Sequence, residues 1–200
     1  MKRMTAAHRV IAVALVALSA ATGTLISFTS LAGATAWPSN LVSSSDCKKY
    51  LTSNSSARVT TTHSYVEVAV LGPRETMYTP AQAAKKHPTS GEVMVSGQMG
   101  NSSMTMGTSA SMAHLEVHIC SKKSGAAVTN AMPTMALKSS QMNAKVGVVP
   151  VAVMRGLNGA IADTHYGNNV VVVPGGRYNL LVTTMGETAR FTLHSQKMSG

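Results

Sequence analysis

From residue 58 onward the chain alternates short apolar runs with turn residues. Residues 65–71 read Tyr-Val-Glu-Val-Ala-Val-Leu, a run rich in β-branched side chains that predicts a strand, and Gly72-Pro73 ends it. The same pattern predicts strands over 92–98, 114–121, 134–139, 147–155, 170–173, 177–184 and 189–194. Pro150 interrupts the fourth of these, which suggests an edge or a bulge, and Pro174-Gly175-Gly176 makes a tight turn. One short surface helix is well specified. Thr79 can cap it, Pro80 takes the first helical position and Gln82 completes a capping box. Lys85, Lys86 and His87 suit the negative end of its dipole, and Pro88 stops it. Strands at short, turn-punctuated spacing, with no α/β alternation, predict an all-β antiparallel sandwich. No internal repeat interrupts the pattern.

The front of the chain follows other rules. Residues 1–36 read as a secretory signal: Lys2, Arg3, His8 and Arg9 form a positive start, Val10 to Ala21 an apolar stretch, and Ala34-Thr35-Ala36 a small-x-small cleavage site. An uncleaved anchor is the rival reading, because mildly apolar sequence continues from Gly23 to Ala36. Residues 37–57 are rich in Ser and Asn without periodicity and read as a linker; residues 58–200 form the domain proper. Export bears on Cys47 and Cys120, the only two cysteines. In an oxidising compartment an isolated pair reads as a disulfide, here closing a long loop and contributing roughly 4 kcal/mol. The alternative is Cys120 as a thiolate ligand.

The formal charge is +10, and once Lys2, Arg3 and Arg9 leave with the signal, 14 basic residues face 7 acidic ones. A basic protein favours anionic surfaces. The Lys and Arg residues are scattered, however, and aromatics are only 4% of the chain, so there is no stripe with stacking side chains for nucleic acid. The charge reads as a solvated surface.

The candidate chemistry lies in three segments. His114-Leu115-Glu116-Val117-His118-Ile119-Cys120 is a strand, so His114, Glu116, His118 and Cys120 share one face while Leu115, Val117 and Ile119 face the core. Imidazole and carboxylate are both ligands for first-row metals. An outer strand of any sandwich also shows a polar face, and the spacing alone leaves both readings open. Methionine is abundant, with 14 residues, and Met94, Met99, Met104, Met106 and Met112 crowd the approach to His114. Met104-Thr105-Met106 has the spacing of thioether copper sites, and soft sulfur selects Cu(I); methionine as ordinary apolar filler is the alternative. Asp163-Thr164-His165-Tyr166-Gly167-Asn168-Asn169 reads as a polar turn before the strand at 170. The chain shows no Gly-x-Ser-x-Gly elbow and no paired-carboxylate constellation. It reads as a binding protein and not an enzyme.

Taken together, these segments resemble the periplasmic ferrous-iron transport protein family, the copper-binding partners of bacterial iron-uptake permeases. The resemblance rests on His114-Leu115-Glu116, on His165-Tyr166-Gly167-Asn168-Asn169, on Met132-Pro133 between them, and on Pro-Gly-Gly-Arg-Tyr-Asn-Leu at 174–180. It implies an immunoglobulin-like sandwich, often a homodimer, holding copper or iron and working beside a membrane permease. The implied ligands are His114, Glu116 and His165, with Met99 as the upstream methionine and His118 as a further candidate. The family's M-x-M ahead of its H-Y-G turn has no counterpart, since Leu157-Asn158-Gly159-Ala160 stands there. Nor is there a clear late histidine, for which His194 is a substitute. The expected protein is exported, periplasmic, extracellular or bound to the cell wall. The rival is a non-catalytic immunoglobulin-like surface module whose metal site has decayed.

Overall fold

The computed structural model of the protein describes residues 37–42, 45–53, 56–97, 111–140 and 147–196. Eleven strands run in order β1 (Arg58–Thr61), β2 (Tyr65–Pro73), β3 (Met77–Tyr78), β4 (Glu92–Gly97), β5 (Ser111–Ser121), β6 (Thr134–Ser139), β7 (Gly147–Val149), β8 (Ala152–Gly156), β9 (His165–Val172), β10 (Arg177–Thr184) and β11 (Glu187–His194). They form a seven-stranded sheet, β1-β2-β5-β9-β8-β4-β3, and a four-stranded sheet, β11-β10-β6-β7. Pairing is antiparallel except between β3 and β4. The fold is the all-β sandwich that the strand pattern predicts.

Alternation along each strand explains why two layers form. Leu115, Val117 and Ile119 of β5 and Tyr166 of β9 are fully buried and join one apolar cluster with Leu180, Val182, Phe191 and Leu193 of the smaller sheet. Each such side chain contributes roughly 1.5–3 kcal/mol by leaving water. The phenol of Tyr166 donates to the Val128 carbonyl at 2.7 Å and accepts from the Ala131 amide at 2.9 Å, so the one polar atom of that ring is satisfied.

Three segments depart from the expectation. Pro150 divides the predicted strand in two: β7 before it is the edge strand of the smaller sheet, as a proline suggests, and β8 after it lies in the larger, so the proline marks the crossing between layers. A residue with no amide proton suits a point where the ladder must break. The 163–169 stretch is not a turn. A 3-10 helix, Ile161–Asp163, leads straight into β9 at His165, and β9 pairs with both β5 and β8. Thr164, His165 and Asn168 are buried despite their polarity, and composition mimics a loop there.

The 37–57 stretch, read from its composition as a linker, carries helix α1 (Lys48–Ser53), and its described apolar residues lie on the outer face of the larger sheet. Trp37, Leu41, Tyr50 and Leu51 pack against Val59, Val66, Val68 and Val70, and the apolar residues, not the more numerous serines, decide its place. The Cys47–Cys120 disulfide anchors it, with both cysteines buried and Cα atoms 6.0 Å apart. Helix α2 (Pro80–Lys86) has the predicted capping box on Thr79 and Gln82, and its chain leaves through His87 in the left-handed conformation. Among the described residues no helix is long and apolar enough to cross a membrane. The signal expected over 1–36 lies outside the described residues.

Candidate metal centre

The site is built on the outer face of the larger sheet, where β5, β9, β8 and β4 lie side by side. Residues directly paired across strands share a face. His114 pairs with Asn169 and Glu116 with Gly167; His165 pairs with Met154, Met154 with Met94, and Gly156 with Glu92. That register gathers His114, Glu116, His118, His165, Asn169, Met154 and Glu92 on one surface. Gly167 has a steric reason to be glycine, because a Cβ there would run into the Leu115 backbone carbonyl.

Glu92 sits between two histidines. Its carboxylate oxygens lie 3.0 Å from His114 Nε2 and 3.0 Å from His165 Nε2. One donor atom from each of the three residues falls within 4.8 Å of the others. Both imidazoles are buried, and the Glu92 oxygen facing His114 and both Nε2 atoms lack a well-aligned hydrogen bond. The distances are those of ion pairs, and the three donor atoms lie close enough together to hold one ion. A buried, unsatisfied polar set of this kind is costly unless something else completes it.

The far side of each ring is already held. His165 Nδ1 lies 2.9 Å from the Asp163 backbone carbonyl, and His114 Nδ1 lies 3.1 Å from Asn169 Oδ1. Both partners are acceptors, so Nδ1 donates in each ring and Nε2 is turned toward the centre. Asn169 is itself held, since its Nδ2 donates to the Glu75 carbonyl at 2.8 Å and its Oδ1 accepts from the Glu75 amide at 3.3 Å.

Electrostatics follow from this packing. Burial works against the charge on Glu92, but His114 and His165 outweigh it and hold the carboxyl well below the usual range. Burial opposes protonation of His165 as well, and Glu92 more than offsets it, raising that ring to about 9; His114 is also raised, by Glu92. His118 behaves differently. Burial pushes it down to about 4, despite Glu116 Oε2 at 3.2 Å from its Nε2. Four of the chain's seven acids, Glu75, Glu92, Glu116 and Asp163, interact electrostatically with these histidines. In a chain of net charge +10 this is a local concentration of negative charge.

His114 and His165 are thus brought together from different strands. Glu116 and His118 are on the same face but pair with each other, and Glu92 takes the carboxylate position between the two imidazoles. Met99, Met104 and Met106 lie outside the described residues. His194 is exposed on β11 of the other sheet. Two buried residues of this face, Glu92 of the triad and Met154, are not legible as such in the sequence. Glu92 opens a predicted strand and looks like a surface acid. Met154 lies three residues before Leu157-Asn158-Gly159-Ala160; it is fully buried yet joins neither apolar cluster, and it sits across from His165. A buried methionine on a polar face is the signal that points to it, and burial is invisible before folding.

An all-β sandwich with a histidine- and carboxylate-lined candidate metal centre on one sheet face is the class that fold and site define. The model of the Fe2+ transport protein family matches residues 74–200, well over half of the chain, and the chain belongs to that family. No curated protein and no solved structure matches it.

Proposed function

We propose that this chain is an exported, non-catalytic metal-binding protein that takes up copper or ferrous iron at the cell envelope and passes it to a membrane permease or holds it. The observation that carries this reading is the buried convergence of Glu92, His114 and His165 with no hydrogen bond completing it. These three would supply one oxygen and two nitrogens to the cargo ion. Met154 on the same face would add a thioether, and a mixed imidazole, carboxylate and thioether set suits copper or iron better than magnesium or calcium. Glu116 and His118 stand beside this set and would serve the ion as it enters or leaves. The reading includes a cleaved signal over 1–36 and a homodimer.

The rival, a surface module with a decayed site, drew its support from the missing M-x-M. Against it stand the buried Met154 on the same sheet face, a candidate soft donor, and the buried carboxylate between two imidazoles. Purified mature protein should bind about one Cu(II) or Fe(II) per chain, measured by elemental analysis after desalting. His114→Ala combined with His165→Ala should abolish uptake. A wild-type stoichiometry near zero for both metals would sink the proposal.

A further inference from the structure

We infer that α1, clamped to the sheet by the disulfide, is a wall of the metal centre, and that Tyr50 is a positioning residue that slows release of the ion. The inference rests on the metal-binding reading above and extends it to a segment ahead of the family match, which begins at residue 74.

The connection runs through covalent geometry. Cys120 lies two residues beyond His118 on β5, so both side chains occupy the same face. Its disulfide to Cys47 brings the start of α1 beside the site. Tyr50 follows Cys47 by three residues, about one helical turn, which carries its ring over His118. The two rings stack with centroids 3.3 Å apart and an interplanar angle of 18°. The His118 ring in turn lies 5.0 Å from that of His165.

The polar end of Tyr50 reaches the same site by a second route. Its phenol donates a short hydrogen bond to Asp163 Oδ1, which Lys49 Nζ also approaches at 3.4 Å. The other oxygen, Asp163 Oδ2, accepts from the Gly156 amide at 3.0 Å, and the Asp163 backbone carbonyl is the group that holds His165 Nδ1. One side chain therefore bears on His118 by stacking and on His165 through Asp163. Trp37, Leu41 and Leu51 pack against the same apolar cluster as Tyr50 and cover the sheet. Cover alone would need neither the stacked imidazole nor the bond to Asp163.

Two variants separate positioning from cover. Tyr50→Leu keeps an apolar cover and loses both contacts; Tyr50→Phe keeps the stack and loses the Asp163 bond. Each is loaded with Cu(II), its folding checked by circular dichroism, and the ion is chased with excess EDTA. Tyr50→Leu should release Cu(II) about tenfold faster or more, in the range expected when a ligand's outer support is removed. Its Cu(II) electron paramagnetic resonance spectrum should also differ from the wild type, with Tyr50→Phe intermediate in rate. In metal-free protein, diethyl pyrocarbonate should modify His118 in Tyr50→Leu far faster than in the wild type. Equal release rates and identical spectra in all three proteins would overturn the inference while leaving the metal site intact. Equal protection of His118 would overturn it as well. A wild-type chain that takes up no Cu(II) or Fe(II) would instead remove the metal reading, and this inference with it.

Discussion

Glu67 and Glu92 are carboxylic acids buried in the same seven-stranded sheet, on opposite faces, and their environments drive them in opposite directions. Glu67 lies on the inner face of β2, fully buried, and neither of its oxygens completes a hydrogen bond. Burial raises it to about 7; the nearby Thr184 hydroxyl lowers it a little without itself finding a well-aligned partner, and Glu187 raises it further. Glu92 is almost as buried, at 8% exposure, yet is held strongly ionised because two imidazoles flank it. Desolvation is the largest influence on both, so neighbours decide the outcome. A buried acid without such partners keeps its proton to a higher pH, up to about 7 for Glu67. One set between histidines becomes an anion with two nitrogen donors beside it, which is the start of a cation site.

The strongest way to break this contrast is to remove the anion. Glu92→Gln should weaken Cu(II) binding by roughly 100-fold or more, the equivalent of about 3 kcal/mol for losing one partner of a buried charged set. Isothermal titration against the wild type measures it, and an unchanged affinity would remove Glu92 from the site. Glu67 offers the next largest effect. Its folded-state value lies above the ordinary 4.5, so its stabilising share is complete below pH 4.5 and is lost as pH rises through about 7. Glu67→Gln should abolish that loss, a relative gain of about 3 kcal/mol between pH 4 and pH 8 by urea unfolding. Parallel pH profiles for the two proteins would refute it.

A smaller effect is expected one step out from the metal centre. Asn169→Ala frees His114 Nδ1 and should weaken metal binding by about tenfold, read by competition with a chelator of known affinity. An unchanged affinity would show that His114 needs no such support. Least of all, Thr184→Val should change stability by less than about 1 kcal/mol, because the hydroxyl it removes has no well-aligned partner. A larger loss on thermal melting would mean that Glu67 has a hydrogen bond after all.

Much of the architecture is legible in the residue order. Period-two runs and their turn residues mark β2, β4, β5, β6, β10 and β11 within a few positions, because strand burial repeats at short range. The capping box of α2 is equally local. His114, Glu116 and His118 share a face for the same reason, as alternation within β5 requires. Beyond these elements, local pattern misleads. Residues 165–169 are polar enough to read as a turn, and only pairing with β5 and β8 makes them a strand. Residues 37–57 are serine-rich, yet Trp37, Leu41, Tyr50 and Leu51 with one disulfide pack on the sheet.

The sequence by itself determined the fold class, the cysteine pair and the two histidines, since each rests on residue type, spacing or motif order. Tertiary structure alone decided which carboxylate stands between those histidines. Glu92 lies 22 residues before His114 in the chain and meets it only because β4, β8, β9 and β5 assemble edge to edge. Burial and long-range pairing then determine that Glu92 is held ionised, that Glu67 keeps its proton up to about pH 7, and that Met154 lies on the same sheet face as the histidines. No residue carries those properties in isolation, because each depends on neighbours that strand pairing supplies.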